Sequence, residues 1–180
     1  MSVMPLVLVG ANVKGKPDYM AAGAVTAVCK VPPMVSVAIS RERYMTRGID
    51  ENKTFSLNIP STSQVVEADH CGLVSGAKED KSRVFQSFCG KPGTAPLALE
   101  CPVNIECTLF KKVECGSHSL YIGEVAEVHA DKTCLTNGTP DITKIFPIMY
   151  TQMSYFGVGN QIEKAFSAGK TYKKKNNSLK

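Results

Sequence analysis

Residues 31–60 read VPPMVSVAISRERYMTRGIDENKTFSLNIP, and this stretch decides the fold that the sequence predicts. Two prolines precede an alternating segment, Met34–Ser40, which carries β-branched residues on one face. A second alternating segment, Thr54–Ile59, ends at Pro60. Such alternation is typical of half-buried β-strands. Between the two predicted strands lies a polar, arginine-rich corner, residues 40–47.

Further predicted strands are spread along the rest of the chain. We place them at Leu6–Ala11, Tyr19–Val28, Cys101–Glu114, Ser119–His129 and Ile145–Tyr150. The turn at Gly116–Ser117 makes the third and fourth of these a hairpin. Regular short strands separated by turn signals predict a mainly antiparallel β-barrel or sandwich in one domain.

The predicted helices are few and short. One begins at Ser61 and ends near Gly72, because Ser61 and Gln64 fit a capping box and glycine favours a helix end. Two more are predicted from apolar residues at helical spacing, over Lys78–Phe88 and Asn160–Ala168.

Composition excludes several classes of protein. The chain has 180 residues, 43% of them hydrophobic and 21% charged, as in an ordinary globular domain. Part of the net charge of +5 lies in the basic stretch 170–180, which we predict to be a disordered tail. Without that tail the charge is close to balanced, so we expect no nucleic-acid partner. No apolar run is long enough to span a membrane.

The cysteines indicate a reduced compartment. Their number is seven and no pair has C-x-x-C spacing, which argues against a zinc ribbon, a thioredoxin motif or a secreted disulfide framework. We expect mostly buried thiols in a cytoplasmic protein. The three histidines show no metal-ligand spacing, so no metal site is predicted.

The corner after Met34–Ser40 is a candidate phosphate site. Arg41 offers a planar fork of donors that matches phosphate oxygens, and the hydroxyls of Ser40 and Thr46 add neutral donors. Thr46 is also expected to cap the short segment Arg47–Asn52, whose free N–H groups would face an anion. The alternative is a solvated basic turn in which Glu42 balances the arginines.

Other candidate ligand residues are less specific. Lys81 follows a glycine-opened basic loop, His118 follows a turn, and Tyr155 lies in an aromatic cluster that can stack on a flat ring. The respective alternatives are a surface lysine, a solvent-facing turn histidine, and an aromatic residue used for core packing or a dimer contact. The chain contains no G-x-G-x-x-G run, which argues against a Rossmann nucleotide site.

An ordered set of motifs resembles the flavin reductase-like family, especially its flavoredoxin branch. Each motif alone is loose, but together they span roughly residues 5–166 in the same order. They are Pro32–Val37, Arg43-Tyr44 with Thr46, Phe55–Pro60, Ser75-Gly76 with Asp80-Lys81, Glu100–Val103, Gly116–His118, Ile122–Val125, Pro147–Tyr150 and Tyr155–Gly157.

The resemblance implies a flavin reductase-like domain over 1–169. Its fold would be an FMN-binding split β-barrel, antiparallel and Greek-key-like, in a homodimer with the flavin near the subunit interface. The implied phosphate ligands are Ser40, Arg41 and Thr46, with Lys81 as a further contact. Asn58 would lie near the ring system, His118 would contact flavin, and Tyr155 would lie near the ring, from either subunit.

The second predicted strand departs from the family pattern. Residues 18–24 read DYMAAGA, where the family often carries hydroxyls and a bulky aromatic residue. Because these side chains are missing, the resemblance implies that Met20 and Ala22 contact the flavin through their backbone. Gly23 would allow the flavin a close approach.

Three functions follow from this resemblance. The first is an oxidoreductase that passes electrons from NAD(P)H through FMN to flavin, iron or a protein acceptor, with the redox chemistry supplied by the cofactor. The second is a non-enzymatic, flavoredoxin-like carrier between partner proteins. The third is an interaction domain that has lost flavin, motivated by the departure at 18–24.

Overall fold

The computed structural model describes residues 3–172, and most regular structure in this range is β-sheet. The strands are β1 Met4–Pro5, β2 Val7–Val13, β3 Lys16–Ala22, β4 Val25–Lys30, β5 Pro33–Ser40, β6 Thr54–Ile59, β7 Ser87–Phe88, β8 Leu97–Ala98, β9 Val103–Cys115, β10 His118–Ala130, β11 Leu135–Thr136, β12 Thr139–Pro140, β13 Ile148–Thr151 and β14 Ser154–Gly157. The helices are α1 Thr46–Asn52, α2 Val65–Leu73 and α3 Ile142–Ile145, with single 3₁₀ turns at Thr62–Gln64, Lys132–Cys134 and Ala168–Thr171.

Seven strands form one antiparallel sheet in the order β3-β2-β6-β9-β10-β5-β4. A second sheet has the order β1-β13-β14, and β7–β8 and β11–β12 form two short ribbons. The mainly β, antiparallel fold is confirmed. Within residues 3–172 the large sheet is open, with β3 and β4 at its edges, so its hydrogen bonds do not close it into a barrel.

Strand β6 lies inside the sheet and is buried on both faces. Its apolar residues Phe55 and Leu57 face one hydrophobic cluster, as the alternation predicts. Its polar residues are also buried, because the segment around β8 covers the opposite face. Ser56 donates to the carbonyl of Pro96, and the hydroxyls of Thr54 and Thr94 are 2.7 Å apart. Burial of these hydroxyls is therefore compensated by hydrogen bonds.

Two hydrophobic clusters cover the two faces of the sheet. The first is formed by alternate residues of the large sheet and by α1: Val7, Val9, Ala11, Met20, Ala22, Val37, Ile39, Met45, Ile49, Phe55, Leu57, Cys107 and Tyr121. The second includes Leu6, Leu8 and Tyr19 together with Ala68 and Cys71 of α2. The helix α2 thus packs on the face opposite to the first cluster.

Three predicted elements are wrong. The predicted strand Tyr19–Val28 breaks after Ala22, and its halves β3 and β4 lie at opposite edges of the sheet. Residues 78–88 form turns and β7 rather than a helix. There the Asp80 carboxylate accepts from the backbone of Ser82 at 3.0 Å, a local bond that competes with helix formation. Residues 160–167 are not helical, and β14 before them was not predicted.

The capping box predicted at Ser61 and Gln64 is confirmed, at the start of the 3₁₀ turn that leads into α2. Within the described residues no helix is long and apolar enough to cross a membrane. Most of the predicted basic tail, residues 173–180, lies outside the described residues.

Candidate functional site

Ser40, Arg41 and His118 come together at one end of the large sheet. Strand β5 ends at Ser40, β10 begins at His118, and these two residues are Cα partners in the antiparallel ladder. The backbone N–H of Arg41 donates to the carbonyl of Ser117 at 3.1 Å. The hydroxyl of Ser117 is 2.9 Å from Nδ1 of His118. A hydroxyl, a guanidinium and an imidazole therefore share one exposed edge, which we call the cationic corner.

The Arg41 guanidinium has an exposed carboxylate partner. Its Nη1 lies 3.6 Å from Oε2 of Glu114, and both side chains are about half exposed. Glu114 also accepts a hydrogen bond from Ser119 at 3.0 Å and lies 3.4 Å from the Lys112 ammonium. Ser119, then Lys112 and Arg41, lower the pKa of the Glu114 carboxyl. An exposed pair of this kind is weak, so a bound anion can compete for Arg41.

Thr46 is buried at the start of α1. Its hydroxyl donates to the carbonyl of Arg43 at 2.7 Å, and the N-cap position of α1 is Met45, without a side-chain cap. The expectation that Thr46 caps the following segment is therefore wrong. The hydroxyl instead holds the Arg43–Thr46 turn closed, and its part in binding phosphate stays a prediction.

A cleft of about 340 Å³ opens beside the corner. It is lined by Val13, Lys14, Lys16, Pro17, Asp18, Tyr44 and residues 76–81. A narrow extension of it shares Asp18, Tyr44, Gly76 and Lys81, and adds Met20, Arg43, Met45, Val74 and Ser75. One residue, Glu42, separates Arg43 from Arg41, and the N–H of Arg43 donates to the carbonyl of Ser40 at 3.0 Å. The cleft and the cationic corner are thus joined by one tight turn.

A buried ion pair forms the floor of the cleft. The Lys81 ammonium lies 3.0 Å from Oδ1 of Asp18, and both side chains are less than a tenth exposed. The ammonium also donates to the carbonyls of Tyr19, Val74 and Cys71. It therefore joins β3, the end of α2 and the following loop. The sequence prediction that Lys81 binds an anion is untested, but the structure shows its charge already balanced.

Gly76 lets this loop approach Asp18. A Cβ atom at residue 76 would lie 2.6 Å from Oδ2 of Asp18, which is closer than real side chains come. At the rim, Asp80 accepts from the Lys16 ammonium at 2.8 Å, and hydrogen bonds from Lys16 and Ser82 hold the pKa of the Asp80 carboxyl below its usual range.

Asn58 lies in the core rather than at this cleft. Its Nδ2 donates to the carbonyl of Leu8 at 2.9 Å and to the Ser56 hydroxyl at 3.0 Å, while its Oδ1 accepts from the N–H of Ala98 at 2.9 Å. These three bonds connect β2, β6 and β8. The position explains why Asn58 is buried, and its predicted contact with a ring system stays a prediction.

Met20 and Ala22 both lie on β3 and belong to the first hydrophobic cluster. Met20 also reaches the narrow extension of the cleft, whereas Ala22 pairs with Val7 of β2. The structure therefore brings Met20, Lys81 and the turn at Arg43 together, whereas Ala22 lines neither the cleft nor its extension.

Tyr155 lies on β14 against α2. Its hydroxyl donates to Oδ1 of Asp69 at 2.6 Å, and its ring centroid is 5.7 Å from that of Tyr150. Burial, followed by the bond to Asp69, raises the pKa of the Tyr155 phenol to about 12. Within one chain the residue acts as a packed anchor of α2.

The buried cysteines are poor candidates for a nucleophile. Burial raises the pKa of the Cys71 thiol to about 11, and of the Cys101 and Cys107 thiols to about 12. All seven cysteines are free, four of them buried and three exposed. The structure thus offers no activated thiol among these three buried residues.

Several cleft residues were not among the predicted ligands. Arg43, Tyr44, Ser75 and Gly76 line it, and each belongs to a motif that carried the family resemblance. Asp18 is a further case, since an aspartate next to the apolar run at Tyr19–Ala22 requires a cationic partner when the strand is buried. The sequence thus contained two signals, the family motifs and the aspartate beside an apolar run. The aspartate alone does not show that Lys81 is its partner.

Comparisons with known proteins agree with this architecture. A family model described as a flavin reductase like domain matches residues 2–159, and the chain belongs to this family. The structure of flavoredoxin from Methanosarcina acetivorans is similar with a TM-score of 0.93 and 40% sequence identity, over 94% of this chain and 92% of the other.

Two further relatives extend the comparison. Flavoredoxin of Desulfovibrio vulgaris (Miyazaki F) is similar with a TM-score of 0.87 and 36% identity, over 94% of each chain. An NADH-dependent flavin reductase of a Rhodococcus species is 31% identical over 112 residues, which are 62% of this chain and 60% of the relative. The proteins similar to this chain thus include both flavoredoxins and a flavin reductase.

Proposed function

We propose that this protein binds FMN and passes electrons from a reduced nicotinamide through the flavin to free flavin, iron or a protein acceptor. The observation that carries the proposal is the cationic corner, where Ser40, Arg41 and His118 meet in a chain of the flavin reductase-like family. NADH-dependent reductases among the relatives support the electron donor.

The donors of the corner fit a phosphate group. The guanidinium groups of Arg41 and Arg43 supply cationic forks of donors, and Ser40 supplies a hydroxyl. The turn that carries both arginines is held by the backbone bond from Arg43 to Ser40. The nearby floor of the cleft carries no uncompensated charge, because Lys81 neutralises Asp18. A dianionic phosphate would therefore meet donors at the corner without repulsion from the buried carboxylate.

In this proposal the protein positions the cofactor and does not react itself. Bound FMN would supply hydride acceptance and onward electron transfer. The corner would hold the phosphate, and Met20 on the edge strand β3 would offer its backbone and side chain at the extension of the cleft. No side-chain acid or base is required, which agrees with the raised thiol pKa values.

A second candidate function is a non-enzymatic electron carrier. It is favoured by the two flavoredoxins, whose identities of 40% and 36% exceed the 31% of the Rhodococcus reductase and whose matches cover more of the chain. In this role the flavin would exchange electrons with partner proteins, and direct oxidation of nicotinamide would be slow.

One experiment separates the two functions. Purified, flavin-loaded protein is mixed with NADH or NADPH and an excess of acceptor, and nicotinamide oxidation is followed at steady state. Rapid turnover supports the reductase. Flavin reduction only after addition of a reduced partner protein supports the carrier. A colourless protein that FMN cannot reconstitute would contradict both and favour an interaction domain without flavin.

We also propose that the protein is a homodimer with its flavin near the interface. An apolar cavity of about 470 Å³ adjoins the exposed edge strand β4, and its lining includes Val25, Ala27, Val35 and Met149. Exposed apolar surface of this kind marks interaction sites. A second copy of the chain would cover both the cavity and the unpaired edge of β4.

A further inference from the structure

Four polar side chains follow one face of the β9–β10 hairpin, away from the cationic corner. Asn104 and Glu106 are alternate residues of β9, and Glu127 and His129 are alternate residues of β10. In the ladder Glu127 pairs with Glu106 and His129 pairs with Asn104. The register therefore gathers two carboxylates, an imidazole and an amide.

Three of these side chains are close enough to share one cation. Nε2 of His129 lies 3.7 Å from Oε2 of Glu106 and 3.8 Å from Oε2 of Glu127. The three ligand atoms all lie within 4.8 Å of one another. Ligands at about 2.0–2.2 Å from a tetrahedral Zn²⁺ are separated by about 3.4 Å. Small movements of the side chains would therefore complete the coordination.

Glu106 is anchored and needs a counter-charge. Its side chain is fully buried, and its two oxygens accept backbone N–H bonds from Gly90 at 2.8 Å and Lys91 at 2.9 Å. Among the described residues its ion-pair contact is with His129. Two hydrogen bonds hold the carboxylate in place and leave further lone pairs, but a buried carboxylate remains costly without a cation.

Unpaired buried acceptors mark the same place. Nε2 of His129 is buried and has no hydrogen-bond partner among the described residues. Asn104 is only 4% exposed, and within residues 3–172 its Oδ1 also has no hydrogen-bond partner, while its Nδ2 donates to the carbonyl of Cys101. Asn104 and His129 line one cavity of about 280 Å³ together with Phe88. Such orphaned acceptors in native proteins require an explanation, and an ion is one.

We propose that Glu106, Glu127 and His129 bind a divalent metal ion of the zinc class. Two carboxylate oxygens and one imidazole nitrogen are a common ligand set for Zn²⁺, and the cavity at Asn104 leaves room for water as the fourth ligand. The ion would join the hairpin to the segment 88–91, since the Phe88 ring packs edge-on against His129 and Gly90 contacts Glu106. Its role would be structural, because the site shares no residue with the cleft.

The test is calorimetric titration of the chelator-treated, full-length protein with Zn²⁺ alone. We expect one ion per chain, and we expect Glu127→Gln and His129→Gln each to weaken binding at least about tenfold. Glu124→Gln is the matched control, because Glu124 is exposed on the same strand. Glu127 is about half exposed, so its substitution should leave the fold intact.

Thiols can also bind zinc, and Cys89 adjoins Gly90 in the chain. Cys89→Ser is therefore titrated in parallel and is expected to keep the site. Zn²⁺ should also raise the melting temperature of the wild type and of Glu124→Gln, but not of His129→Gln. No heat of binding in the wild type would overturn the proposal. Equal affinity in His129→Gln, or loss of binding only in Cys89→Ser, would overturn it as well.

Discussion

At the scale of single side chains, the proposed phosphate site depends most on Arg41. We predict that Arg41→Ala combined with Thr46→Ala weakens FMN affinity by several kcal/mol at most, because a charged hydrogen bond contributes about 1.5–3 kcal/mol. The Thr46→Ala substitution should act indirectly, because it removes the hydroxyl that holds the Arg43–Thr46 turn closed. Fluorescence titration with FMN measures the change.

Arg83→Ala is the control for that titration, since Arg83 is exposed in a different loop. It removes one positive charge from the chain and leaves the corner unchanged, so its FMN affinity should equal that of the wild type. Unchanged affinity in the double variant would refute the placement of the phosphate at the corner.

The buried ion pair gives a second prediction at this scale. Asp18→Asn leaves the Lys81 ammonium buried without its carboxylate, which should lower the free energy of unfolding by about 3–5 kcal/mol. Urea unfolding measures the change. The exposed pair Lys16–Asp80 is the matched control, because solvent screens it, and Lys16→Met should leave the unfolding midpoint nearly unchanged. Equal effects of the two substitutions would contradict the assigned role of Asp18.

Secondary-structure elements with strong alternation were predictable from the sequence. The bounds of β6 were predicted correctly, and β5 differs by one residue, because alternating apolar residues and the adjacent prolines are local signals. The helix predicted over 78–88 failed for a non-local reason as well as through the local bond between Ser82 and Asp80. Its apolar spacing suits a helix, but Lys81 is instead held by Asp18 of β3, a contact that local periodicity cannot show.

A prediction for α3 concerns acid stability. Hydrogen bonds from Thr136 and Thr143 lower the pKa of the Asp141 carboxyl to about 2, and Asp141 is the N-cap of α3. A lowered folded pKa stabilises the protein fully above the unfolded pKa of about 3.9, and this contribution is lost as the pH falls through about 2. The wild type should therefore be more stable than Asp141→Asn at neutral pH.

The difference between wild type and Asp141→Asn should shrink steadily as the pH falls from 5 to about 2. Urea midpoints at a series of pH values measure it. A difference that stays constant across this range would show that the Asp141 charge does not stabilise α3.

At the scale of the whole molecule, the proposed dimer is testable by mass. We expect sedimentation to give twice the chain mass of 19.4 kDa. Ala27→Asp should shift the population to monomers, because it places a charge in the apolar cavity beside β4. Val66→Asp is the control, since Val66 is exposed on α2. A monomeric wild type would contradict the dimer.

Only part of the candidate site could be predicted from the sequence. Ser40 and Arg41 are neighbours in the chain, and the turn before His118 was predicted, but His118 lies beside Ser40 because β10 pairs with β5, a contact that no local signal shows. The enclosing cleft was not predictable, because it requires the loop 74–81 to fold onto β3 through Gly76 and Asp18. Asn58 was expected near a ligand, and its buried amide bonds depend on β8, a strand of two residues with no local signal.

The most direct test of the central claim compares FMN with riboflavin, which lacks the phosphate. If the cationic corner binds the phosphate, FMN should bind the wild type about 10- to 100-fold more tightly than riboflavin, as one charged hydrogen bond implies. Fluorescence titration of both ligands measures the ratio, and Arg41→Ala should reduce it. Equal affinities for FMN and riboflavin in the wild type, or no binding of either, would contradict the account.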